Sequence, residues 1–112
     1  MQFEVDGRTV SADDQGYLMD PADWSEEVAV ELARQEGIDL SDAHWAVIRF
    51  VRAYFEDHHI APDARHAIKA LARHLGPRST GRNDLFHLFP YGYVKQACRI
   101  AGMRKPRAWS TG

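Results

Sequence analysis

The chain reads as an α+β domain: a small N-terminal antiparallel β-meander packed on an array of about five helices, with a flexible C-terminal arm. Three observations predict this. Apolar and polar residues alternate only near the N-terminus, on either side of an Asp6-Gly7 turn dipeptide. From about residue 23 the apolar residues recur at helical spacing instead, in segments punctuated by Gly37, Pro62, Gly76, Pro90 and Gly102. After Gly102 all periodicity stops, and residues 103–112 contain an internal proline and the bases Arg104, Lys105 and Arg107.

Each element has a local reason. Phe3 and Val5 alternate with polar neighbours, Asp6-Gly7 turns the chain, and Arg8-Thr9-Val10 returns; Gly16-Tyr17-Leu18-Met19 is expected to add a third strand. Strands this short need helices to pack on. Asp23 with Glu26 three residues later forms a capping-box pattern for the first helix, which carries Trp24, Val28 and Leu32 on one face and ends at Gly37. Ser41 caps the second, running to about Asp57. Its Trp45, Val47, Ile48, Phe50, Val51, Tyr54 and Phe55 cover most of the circumference, as in a central helix. Pro62 falls in the first turn of the third, whose inner face is Ala64, Ala67, Ile68, Leu71 and Leu75 and whose stop is Gly76. Asn83 or Asp84 starts a short apolar turn over 85–89, broken by Pro90 and Gly92. A last short helix runs from about Tyr93 to Ala101. The expected division is a single domain over 1–102 and an arm over 103–112.

A chain of 112 residues, 45% apolar and 27% charged, suits one folded domain with one modest core. No apolar run approaches the roughly 18 residues that cross a bilayer, so no membrane partner is expected. Met1-Gln2-Phe3-Glu4-Val5-Asp6 lacks the basic and apolar regions of a secretory signal. One cysteine excludes an internal disulfide framework, and together these predict a reducing cytoplasm. The net charge of −2 conceals an asymmetry: residues 1–63 hold 15 acids and 4 bases, residues 64–112 hold 1 acid and 10 bases. Either the basic half meets an anionic partner, or the two halves attract each other within the fold.

Cys98 shares a helical face with Val94 and Ala101, as a small buried hydrophobe would. As a nucleophile or sulfur carrier it would need its thiolate, which nearby Lys95, Arg99, Arg104, Lys105 and Arg107 would favour and the helix C-terminus would oppose. The six histidines show no pairing at metal-ligand spacing, so no metal site is expected. The second and third helices, joined through His58-His59-Ile60-Ala61-Pro62, have helix-turn-helix connectivity. Arg65, His66, Lys69 and Arg73 on the outer face could reach phosphates, or could simply be a solvated face. No phosphate-cradling glycine loop, Ser/His/Asp signature or isolated carboxylate pair occurs, which argues against a self-contained catalyst and against a cofactor.

Several segments carry a family resemblance: Gly16-Tyr17-Leu18, Asp23-Trp24, Glu36-Gly37-Ile38, His44-Trp45, Ile60-Ala61-Pro62, Arg65, Lys69-Ala70, Leu88-Phe89-Pro90-Tyr91-Gly92 and Lys95-Gln96-Ala97-Cys98-Arg99-Ile100-Ala101-Gly102. Together they resemble the DsrC/TusE family nearly end to end. The resemblance implies a strand meander on a helical array with a C-terminal arm. It also implies a role in sulfur metabolism, either with dissimilatory sulfite reductase or in the persulfide relay toward 2-thiouridine in tRNA. In both branches the working thiol is a penultimate cysteine at the arm tip; DsrC-type members add a second one eleven residues upstream.

Here Cys98 falls at the upstream position and Trp109 at the tip, where no persulfide can form. The arm continues as Ser110-Thr111-Gly112, and Gly92-Tyr93-Val94 replaces the family's Gly-Pro-Ala. The resemblance therefore implies a divergent relay or accessory protein with Cys98 as its candidate sulfur carrier. Arg65, Lys69, Lys95, Arg99, Arg104, Lys105 and Trp109 would serve in binding. The implied partners are sulfite reductase or TusBCD-like relay proteins, with a nucleic-acid-binding regulator as the alternative.

Overall fold

Asp6 and Gly7 both take left-handed backbone angles, φ 51° and 77°, the geometry of a tight hairpin turn. They join β1 (Gln2–Val5) to β2 (Arg8–Ser11), with Phe3 opposite Val10 and Val5 opposite Arg8. The computed structural model describes residues 1–105. The expected third strand is reduced to a single bridge between Ala12 and Leu18. Asp13 accepts hydrogen bonds from the backbone of Gln15 (2.9 Å) and Tyr17 (3.0 Å), so Tyr17 N–H goes to a side chain, and the backbone bonds left are Asp13 N to Tyr17 O at 2.8 Å and Met19 N to Ser11 O at 3.1 Å. Tyr17 and Leu18 are buried all the same.

Among the described residues five helices follow. A single 3₁₀ turn, Pro21–Asp23, is capped by Asp20. Helix α1 (Glu26–Gln35) then starts at Ser25, whose hydroxyl accepts from Val28 N at 3.2 Å. The expected capping box from Asp23 to Glu26 does not form, because Trp24 stays extended and sends its indole N–H to the Ile100 carbonyl at 2.9 Å. Helix α2 (Asp42–His58) is capped by Ser41 as expected, in a capping box completed by His44. Asp63 caps α3 (Ala64–Leu75), so Pro62 lies just ahead of the helix. Of the expected inner face, Ala67 and Leu71 are fully buried while Leu75 is exposed. Helix α4 (Arg82–Leu88) begins one residue before expected, and a π-helix, Tyr93–Cys98, replaces the regular turns expected there. Helix α2 packs against α3 and the π-helix. Leu32, Ile48, Leu71, Phe89, Ile100 and Met103 are fully buried at the centre. Burial continues through Met103.

His44 ties α2 to the next layer. Its Nδ1 accepts from Ser41 N–H at 3.0 Å, which leaves Nε2–H to donate to the Leu88 carbonyl at 2.9 Å. Burial pushes this imidazole below its ordinary value of 6.5, the Leu88 bond opposing only in part. The folded state therefore prefers neutral His44, and the unfolded chain takes up the proton first as pH falls. The stability His44 contributes is present above about 6.5 and is lost progressively below it. Thermal midpoints measured from pH 7.5 down to 5 should decline, and His44→Gln should flatten that decline. An unchanged slope in the variant would remove His44 as its source.

Candidate functional site

The site is built on the π-helix. Tyr93, Val94, Gln96, Ala97 and Cys98 are all buried and only Lys95 reaches solvent, so this short segment runs through the domain rather than over it. π-Helical turns are wider than α-turns and recur at functional sites. The Cys98 side chain is completely buried. Burial pushes its thiol up to about 12, and the hydrogen bond with Tyr93 opposes this without offsetting it. The Tyr93 hydroxyl donates to the Pro62 carbonyl at 2.6 Å, and its own ionisation is displaced upward by burial and by Cys98. Tyr17 donates to the Val94 carbonyl at 3.1 Å. Burial thus favours the protonated thiol, which hydrogen-bonds with Tyr93.

The bases expected to stabilise a thiolate do other things. Lys95, Arg104 and Lys105 are exposed. Arg99 donates to Glu36 Oε2 at 2.6 Å and to Gln35 Oε1 at 3.3 Å. The lowering of the thiol expected from these four does not occur, because none of them is turned to Cys98 closely enough to compete with its desolvation. Arg65 and Lys69 lie on the exposed face of α3, Arg65 paired with Asp63 at 3.0 Å. A depression lined by Arg65 and Lys69 shares no residue with the cleft over the π-helix that Lys95, Arg99 and Lys105 line. Trp109 and Arg107 lie outside the described residues.

Residues not singled out individually from the sequence hold the site together. The Glu36 carboxylate accepts from Arg99 and, through Oε1, from Gln96 Nε2 at 2.9 Å. Gln96 is fully buried and its Oε1 accepts from Tyr91 N at 3.0 Å. The end of α1 is thereby bound to the π-helix. Arg99 lies flat over Gly16, where a Cβ would come within 2.6 Å of its Nε. That Nε is buried and has no hydrogen-bond partner. Glu36, Gln96 and Gly16 each stood inside a family-matching segment, which was the available signal.

Two further contacts close the C-terminal end. Gly102, at φ 78°, completes a Schellman turn in which Gly102 N donates to Arg99 O and Met103 N to Cys98 O, both at 3.0 Å. Arg52 takes the remaining carbonyl of Ala101 at 3.2 Å, with its guanidinium 4.5 Å from the Trp24 ring centroid. Over the π-helix opens a cleft of about 760 Å³, with Tyr17, Glu36, Val94 and Arg99 on its walls and Tyr91, Lys95 and Lys105 among its lining residues.

Among the described residues no cluster of three or more His, Cys, Asp or Glu side chains could hold a metal ion, and no helix is long and apolar enough to cross a membrane. The described residues offer a buried thiol hydrogen-bonded with Tyr93 and a cleft bordered by lysines.

A family model described as "DsrC like protein" matches residues 4–108. Sulfurtransferase TusE of Pectobacterium atrosepticum is 47% identical over 104 residues, covering 93% of this chain and 95% of that protein. Sulfurtransferase TusE of Sodalis glossinidius is 48% identical over 104 residues, covering 93% and 96%. Among solved structures, the crystal structure of the oxidized gamma-subunit of the dissimilatory sulfite reductase (DsrC) from Archaeoglobus fulgidus superposes with a TM-score of 0.88 at 36% identity, covering 97% of this chain and 99% of that one. The NMR structure of Allochromatium vinosum DsrC gives 0.84 at 42% identity, covering 96% of each.

Proposed function

The chain belongs to the DsrC-like family, and from that premise we propose that it serves a sulfur relay by docking a partner at the lysine-bordered cleft over the π-helix. The observation that carries this reading is the state of Cys98, buried completely and held protonated by burial. A persulfide carrier needs an accessible thiolate, and position 109 holds tryptophan. Sulfur transfer through Cys98 would require the π-helix to open. Docking requires nothing to move. Lys95 and Lys105, exposed beside a cleft that also contains Tyr91, give an acidic partner surface its charge complement. The partner would be a sulfite reductase or a TusBCD-like complex, in a reducing cytoplasm that suits an unpaired thiol. No observation favours the nucleic-acid reading of α2 and α3 over this one.

The test is binding of the purified chain to both candidate partners from the same genome. Lys95→Glu together with Lys105→Glu should weaken the complex about tenfold, the sum of two modest charge reversals. Cys98→Ala should leave the affinity within about twofold. Binding to neither partner would overturn the reading. So would addition of one sulfur to Cys98 in the native protein by a low-molecular-weight persulfide donor, at a rate matching an exposed thiol.

A further inference from the structure

A second concave surface lies between α3 and α4 and has no part in the reading above. It begins as an apolar pocket of about 350 Å³ lined by Ala64, Ile68, Leu85, Phe86, Phe89 and Tyr93, with Arg82 at its edge. Phe89, Tyr93 and Leu85 are buried parts of the core, while Phe86 is 59% exposed. The pocket continues into a shallower depression of about 280 Å³ that shares Ile68 and Arg82 and adds Arg65, His66 and Lys69. Among the described residues Lys69 and Arg82 make no ion pair. Asp63 partly neutralises Arg65, and Asp84 on α4 is engaged by Ser79 at 2.6 Å.

We propose that this groove is a docking site for an acidic protein segment anchored by one large apolar side chain. Three features select that occupant. The apolar pocket is at the small end of the range for ligand sites, the scale of one anchoring side chain. Its continuation is basic, so the residues flanking the anchor are acidic. The two depressions share Ile68 of α3 and Arg82 of α4, so a chain laid in the groove between these helices meets both. A nucleic acid would satisfy the basic part and leave the exposed Phe86 uncovered. The pocket also reaches Tyr93, whose hydroxyl hydrogen-bonds with Cys98, so an occupant rests one side chain away from the thiol.

The experiment titrates the full chain, labelled with nitrogen-15, with the synthetic peptide Glu-Asp-Trp-Asp-Glu, blocked at both ends. Saturable shifts are expected at Ile68, Leu85, Phe86 and Phe89. Alanine in place of the peptide's tryptophan, or lysines in place of its acids, should weaken binding at least tenfold. Lys69→Glu with Arg82→Glu, both on the surface, should do the same, while Lys95→Glu should not. Absence of saturable shifts would overturn the proposal, as would shifts confined to the Lys95 cleft or equal binding of the lysine peptide. Tighter binding of an oligothymidylate at the same residues would overturn it too. None of these results refutes docking through Lys95 and Lys105.

Discussion

Native protein exposed to iodoacetamide at pH 8 is expected to alkylate about a thousandfold more slowly than the same chain in denaturant. The factor follows from the thiol's displacement from 9.0 to about 12, which cuts the thiolate fraction by roughly three powers of ten. Complete burial adds the need for an opening fluctuation before reagent can reach Sγ. The same displacement has a consequence for stability. Folded protein holds the proton that the unfolded chain releases between about 9 and 12, so stability falls as pH rises through that window. Cys98→Ala should remove part of this alkaline decline, the remainder belonging to Tyr93 and Tyr17, whose ionisation burial also displaces upward. Native alkylation within tenfold of the denatured rate would mean that the π-helix opens readily, and sulfur transfer through Cys98 would then regain its footing.

Glu36→Ala is expected to destabilise the fold by about 3 kcal/mol, a fall in thermal midpoint of roughly 12 °C or more. Glu36 and Arg99 are only 18% and 15% exposed, so the variant leaves a largely buried guanidinium without its counterion. Gln96, fully buried, loses the acceptor for its amide at the same time. The exposed pair Glu31–Arg34 is a control, since Arg34 is 71% exposed and its loss should hardly move the midpoint. A shift under 3 °C for Glu36→Ala would show that water solvates Arg99 once the carboxylate is gone.

The hairpin, the Ser41 cap and the stops at Gly76 and Gly102 were legible because each depends on a residue's own backbone preferences. The third strand was not. Tyr17 and Leu18 look like strand residues and are buried like them, but the Asp13 carboxylate captures the Tyr17 N–H that a longer ladder would have used. The start of α1 was misplaced because Trp24 answers to a carbonyl 76 residues away, and no local signal competes with that. The helix over 93–101 was legible but its wide turns were not, because a segment buried on nearly every side does not separate an α period from a π one. Cys98 shows the same limit chemically. Five bases surround it in sequence, yet Arg99 faces Glu36 and Lys95 faces water. Charge along a chain reports neighbours in order, whereas ionisation answers to neighbours in space.

The Schellman turn also fixes where mechanical load enters this domain. Met103 N–H ends on the carbonyl of Cys98 itself, so tension applied to the chain beyond residue 103 is borne first by the residue that carries the thiol. Trp24 and Arg52 brace the carbonyls of Ile100 and Ala101 against that pull. Of these struts the bond to Cys98 is made by the residue furthest along the chain, and the chain turns at Gly102.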